Sequence, residues 1–157
     1  MKRLADCLLC AGPAGDDQLH RVQVWEDERW RLTTSVASEV EAFSYLEPKR
    51  HIAFITDLDG EEAQTLGEVL ARVSRALRKA TGKPFVYVYV FGDGIAHLHL
   101  MLAPHREGDA LSDHMIRGAT AERRLPSGAT LVMSADFPPL PEADLRATAE
   151  RVRDLLA

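Results

Sequence analysis

The segment Gly94-Ile95-Ala96-His97-Leu98-His99-Leu100-Met101-Leu102-Ala103-Pro104 carries two histidines that alternate with aliphatic residues in a strand-like run ending in proline. Successive side chains of an extended chain point to opposite faces. His97, His99 and Met101 therefore share one face, and Leu98, Leu100 and Leu102 share the other. The leucines suit a strand packed on a core. Two imidazoles opposite them do not, because a buried imidazole needs hydrogen-bond partners or a metal ion.

A second group of ligating type stands near the N-terminus, where the chain's two cysteines, Cys7 and Cys10, form a C-x-x-C. Two cysteines do not make a disulfide framework. Their spacing fits either a redox pair or half of a metal site. Zinc takes four nitrogen or sulfur ligands in a tetrahedron. His51, at the end of Pro48-Lys49-Arg50-His51, and His97 are candidates for the other two. His20, His105 and His114 suit ordinary surface or hydrogen-bonded roles, and spacing alone does not choose among the six histidines.

These residues need elements to position them. Arg21 to Trp25 and Trp30 to Thr34 read as strands joined by Glu26-Asp27-Glu28-Arg29, a hairpin. A third strand is expected over Ala42 to Phe54, interrupted at Pro48. Asp59-Gly60-Glu61-Glu62 has the form of a capping box. Leu66, Val69, Leu70, Val73 and Leu77 then recur at helical spacing. Arg75, Arg78 and Lys79 suit the helix C-terminus, and Gly82-Lys83-Pro84 ends it. Phe85 to Phe91 reads as a central strand. A short turn at Gly92-Asp93-Gly94 makes the histidine strand its antiparallel neighbour. Further on, Leu111 to Glu122 suggests a short helix, Thr130 to Met133 a short strand, and Phe137 to Pro141 an extended connector. Glu142 to Leu156 reads as an amphipathic helix with Leu145, Val152 and Leu155 on its apolar side. The fold class is α+β: an antiparallel sheet of about five strands, one long crossing helix and a C-terminal helix.

Composition narrows the functional classes. The chain has 157 residues, 46% hydrophobic and 27% charged, with a formal net charge of −5. That length supports one domain with a real core. The acidic balance argues against a nucleic-acid partner but leaves room for a small anionic ligand held by a local or backbone-lined site. No apolar run reaches membrane-spanning length, and the first residues lack the apolar segment of a signal peptide. A cytoplasmic protein without a membrane partner is expected.

In order and spacing, these features resemble the histidine triad (HIT) superfamily. The resemblance runs from the C-x-x-C through Trp25-Glu26-Asp27-Glu28-Arg29 and Tyr45-Leu46-Glu47-Pro48-Lys49-Arg50-His51. It continues with Leu58-Asp59-Gly60-Glu61-Glu62-Ala63 and closes on His97-Leu98-His99-Leu100-Met101-Leu102-Ala103-Pro104. It covers a core of residues 5–105, with 106–157 as a C-terminal extension of the same domain. It implies a structural zinc ion held by Cys7, Cys10, His51 and His97. It also implies that His99 is the nucleophile, attacking the α-phosphorus of a nucleotide to give a nucleotidyl-histidine intermediate. A nucleotide or nucleotide-derived ligand and a homodimer are further implications.

The chain departs from the family pattern where the triad's third histidine would stand. Met101 has no N–H to give a phosphate oxygen or a leaving group. The loop ahead of the histidines is short, leaving the backbone N–H groups of Gly92 and Gly94 as candidate phosphate contacts beside Met101. Asp93 would repel phosphate if it faced the site. His105, just after the proline, is a candidate for the missing donor. Two readings follow: a hydrolase or nucleotidyltransferase working through His99, or a catalytically impaired relative that binds a nucleotide or a protein partner.

Overall fold

The computed structural model describes residues 4–92, 94–109, 120–134 and 138–157. Helix α1 (Pro13–Gln18) leads into strands β1 (Arg21–Glu26), β2 (Trp30–Ser35) and β3 (Ser44–Pro48). Helix α2 (Gly60–Thr81) then crosses to β4 (Phe85–Tyr89) and β5 (Leu100–His105). These five strands form one antiparallel sheet in the order β1-β2-β3-β5-β4. Strands β6 (Thr120–Arg124) and β7 (Thr130–Ser134) make a separate two-stranded sheet, and helix α3 (Glu142–Leu156) follows. The α+β architecture is the one expected.

Local chemistry explains the main elements. The Asp27 carboxylate accepts the backbone N–H groups of Arg29 (2.7 Å) and Trp30 (2.6 Å), which closes the β1–β2 hairpin. Val69, Val73, Ala76 and Leu77 line the buried stripe of α2, and Gly82 ends that helix in the left-handed conformation, φ 65°. The sheet sends Trp30, Leu32, Leu46, Leu100 and Leu102 into the core beneath α2, joined by Leu98 from the connection before β5 and by Ala149, Val152 and Leu156 of α3. Arg153 of α3 donates to the Gln23 carbonyl at 2.9 Å, covering the outer edge of β1. The opposite sheet face gathers Phe43, Tyr45, Tyr87, Tyr89, Met101 and Ala103.

Several boundaries differ from expectation, each for a physical reason. The third strand stops at Pro48. Residues 49–54 leave the sheet, and Leu98 donates its N–H to the Ile52 carbonyl at 2.7 Å instead. The central strand ends at Tyr89 and β5 begins at Leu100, so residues 90–99 form a longer connection than a tight turn. Within it His97 donates its N–H to the Ile95 carbonyl at 2.8 Å, folding the chain back on itself. The Asp59 side chain makes no cap. Arg50 takes both carboxylates of the expected box, reaching Asp59 at 2.5 Å and Glu62 at 2.9 Å. On α3 the buried residue is Leu156, while Leu155 is 37% exposed. Most of the helix expected over Leu111 to Glu122 lies outside the described residues, as do Asp93, His114 and Phe137; its last residues, from Thr120, are strand β6. Helix α1 has no counterpart among the expected elements.

Candidate functional site

Two irregular loops and one short N-terminal segment bring the cysteines and histidines together. Cys7, Cys10, His51 and His97 each place a ligating atom within 4.8 Å of the other three. The Cys7 Sγ to His97 Nδ1, Cys10 Sγ to His97 Nδ1 and Cys10 Sγ to His51 Nδ1 separations are each 3.4 Å. A zinc tetrahedron with Zn–S of about 2.3 Å and Zn–N of about 2.0–2.1 Å has S···N edges of roughly 3.5 Å. The donor set therefore fits zinc in chemistry and in size. His97 is 2% exposed, and its Nε2–H donates to the Pro48 carbonyl at 2.8 Å, leaving the Nδ1 lone pair for the metal. Burial pulls the His97 pKa below its ordinary value, which favours that neutral form. Thiol pairing as a redox couple is not needed to explain the cysteines, which are buried beside the histidine nitrogens.

His99 sits on the chain just before β5 and is half-buried. Its Nδ1–H donates to the His97 carbonyl at 2.7 Å. That bond fixes the tautomer in which Nε2 carries the lone pair. The ring of Tyr45 lies beside it, centroids 6.4 Å apart. Met101, two residues on, pairs across the sheet with Tyr45 on one side and Tyr89 on the other. The other candidate residues have surroundings of their own. His105 is 5% exposed, stacked on Tyr87 at 4.5 Å, and paired through Nδ1 with Asp109 at 2.8 Å. Burial alone would raise the Asp109 pKa, but the Arg106 N–H, His105 and Lys83 together hold it below its usual value. Gly92 and Gly94 adopt φ 75° and 78°, conformations that favour glycine.

Sequence reasoning missed a group of buried charges on the same sheet face. Arg31 of β2 bridges Asp16 of α1 and Glu47 of β3. Arg21 of β1 stacks over the Tyr45 ring at 4.6 Å. Alternation was the available signal: Arg31 and Thr33 interleave with Trp30 and Leu32, and Glu47 follows Leu46, so polar residues fill the second face of central strands.

No family model matches the sequence. Two uncharacterised HIT-like proteins from strains of Mycobacterium tuberculosis are 27% identical over 112 residues, covering 68% of this chain and 76% of theirs. A zinc-bound histidine triad family protein from Mycobacterium smegmatis superposes with a TM-score of 0.63 at 22% identity, covering 96% of this chain and 95% of that one. This chain has a HIT-like fold. A hypothetical histidine triad nucleotide-binding protein from Sulfolobus tokodaii shares the HIT fold at a TM-score of 0.67 and 17% identity, over 96% of this chain and 91% of that one. Cys7, Cys10, His51 and His97 form a Cys2His2 cluster of zinc dimensions, the ligand set that would hold a structural zinc ion. Among the described residues no helix is long and apolar enough to cross a membrane.

Proposed function

We propose that the HIT-like chain is a nucleotide hydrolase or nucleotidyltransferase that works at the α-phosphate through a nucleotidyl-His99 intermediate. The observation that carries this reading is the 2.7 Å bond from His99 Nδ1 to the His97 carbonyl, which ties down Nδ1 and leaves Nε2 of this half-buried ring as the nitrogen to attack. In the first step the Nε2 lone pair forms a bond to phosphorus. The bond from phosphorus to the leaving group breaks, and the leaving group departs with its electron pair. In the second step the oxygen of water or another hydroxyl attacks phosphorus. The P–N bond breaks, the imidazole recovers its lone pair, and the acceptor's proton passes to solvent. Neither step runs through the metal site; a zinc ion held by Cys7, Cys10, His51 and His97 would anchor the loop whose carbonyl orients His99.

Met101 favours a second reading on one point. A thioether cannot protonate the leaving group, so a slow catalyst or a pure nucleotide binder is the alternative. The two readings part on a covalent adduct. The protein is incubated with an adenosine phosphoramidate, a dinucleoside polyphosphate and a nucleotide sugar, and its intact mass is recorded. A gain of one nucleotidyl group in the native protein, absent in His99→Ala, is expected. Neither adduct nor turnover with any of them would remove the catalytic reading.

A further inference from the structure

Among the described residues, five buried side-chain polar atoms have no hydrogen-bond partner: Arg21 Nε and Nη2, Thr33 Oγ1, Glu47 Oε2 and Tyr89 Oη. Buried polar atoms in folded proteins are nearly all paired, so a group of orphans marks a place where partners arrive from outside. All five belong to one face of the sheet. Register sets Gln23 opposite Thr33, Thr33 opposite Tyr45, Tyr45 opposite Met101, and Met101 opposite Tyr89. Arg21 and Glu47 stand two residues along their strands from Gln23 and Tyr45, and so share that face. It is the face on which Tyr45 borders His99.

Arg21 is the informative member. Nε and Nη2 form one edge of the guanidinium, a fork of parallel N–H bonds matched to two oxygens of a carboxylate or phosphoryl group. Nη2 approaches Asp16 Oδ1 and Glu47 Oε1 no closer than 3.9 Å, beyond hydrogen-bond range. Both of those oxygens are already engaged by Arg31. The guanidinium is held in place by the Tyr45 ring at 4.6 Å, and that ring's neighbour is the His99 imidazole at 6.4 Å.

We propose that this edge of Arg21 is an anion subsite for the same ligand that His99 attacks. It takes two oxygens of a phosphoryl or carboxylate group on the part of the ligand remote from the reacting phosphorus. The proposal rests on the HIT-type reading above. It supplies cationic recognition on a face where Met101 supplies no donor. Both fork atoms are buried, with the Asp16 and Glu47 carboxylates each 3.9 Å from Nη2, so the oxyanion enters by displacing the Asp16 carboxyl. Burial pushes the Asp16 pKa up, against the pull of Arg31 and Arg21, so the group that yields is one whose charge is already disfavoured.

The test titrates the native protein, Arg21→Lys and Asp16→Asn with AMP, ADP and the glycine and glycinamide phosphoramidates of AMP. Affinity is read by calorimetry, and the Arg21 Nε–H resonance of the native protein by nitrogen-15 NMR. ADP or the glycine conjugate should move that resonance. Arg21→Lys should weaken the same ligand roughly ten- to a hundredfold by replacing a fork with a point charge, while Asp16→Asn should tighten it. AMP and the glycinamide conjugate should keep their affinity. Which ligand responds tells whether the oxyanion is a second phosphate or a carboxylate. The resonance of the native protein decides the matter even if a variant fails to fold. An unmoved resonance overturns the subsite, and so does equal weakening of all four ligands, which would put Arg21 on the phosphate under attack. If the native protein binds none of the four, the HIT-type reading itself fails, and the subsite with it.

Discussion

His97 and His99 are two residues apart, and backbone carbonyls divide their roles. The Pro48 carbonyl takes the Nε2–H of His97, turning Nδ1 toward the cysteines, and the His97 carbonyl takes the Nδ1–H of His99, freeing Nε2. Opposite nitrogens are presented by the same residue type because opposite nitrogens are tied down. Met101 continues the row but lies among Tyr45, Tyr89 and Phe43, and brings no donor. One hydrogen-bond donor aimed at developing negative charge is worth about 10²–10³ in rate. Met101→Gln is nearly isosteric and adds an amide N–H there. It should raise the rate of nucleotidyl-His99 formation by about tenfold or more, measured by single-turnover mass spectrometry. An unchanged rate would show that position 101 does not face the reacting phosphate.

Among the elements, α1 links the metal loop to the charged face. Its Gly15 lies so close to the Leu8 carbonyl that a Cβ built there would sit 1.9 Å from that oxygen, leaving room for glycine alone. The next residue, Asp16, is 4% exposed and pairs with Arg31. Gly15→Ala must push α1 away from the C-x-x-C segment and loosen both contacts. A loss of about 1–3 kcal/mol in urea unfolding and faster zinc transfer to a chromogenic chelator are expected; a variant matching the native protein in both would show that this contact constrains nothing. Helix α2 and the β1–β2 hairpin are legible in the sequence because each has a local signal, an apolar stripe closed by Gly82 or an Asp27 turn between alternating strands. Helix α1 is not, because six residues with two aspartates show no apolar period. Asp59 and Glu62 have the sequence of a capping box, but Arg50, nine residues before Asp59, binds both carboxylates, and the Asp59 side chain makes no cap. The four zinc ligands follow from resemblance, since spacing leaves them open. For the Asp16, Arg21, Arg31 and Glu47 group, alternation marks Arg31 and Glu47 as facing the second side of the sheet, but their burial by partners on other elements is a relation no local pattern reveals.

At the scale of the molecule, two of the three apolar clusters among the described residues bear on stability and the metal site. The larger joins the sheet, α2 and α3 through Trp30, Leu32, Leu46, Leu77, Leu102 and Val152. The smaller holds Cys7, Leu9 and Cys10 with Leu19 and Ile95, and contains two of the zinc ligands. Metal binding is folding free energy for whatever segment the ligands order, and here that segment is the smaller cluster and the loops bearing His51 and His97. Chelation of zinc should therefore open residues 4–19 and the 94–98 loop while β2, β3, β5 and α2 stay folded. Hydrogen exchange before and after chelation would read this as lost amide protection confined to those segments. Leu77→Ala acts on the larger cluster, where the side chain is fully buried. It should lower global stability by about 2–5 kcal/mol and shorten protection throughout the sheet with zinc still bound. Loss of protection across the sheet on chelation alone would instead make the metal part of the main core. The burial pattern argues against that outcome, because no cysteine belongs to the larger cluster, and the two residues it takes from the metal-bearing loops, Ile52 and Leu98, are tied to each other through the backbone.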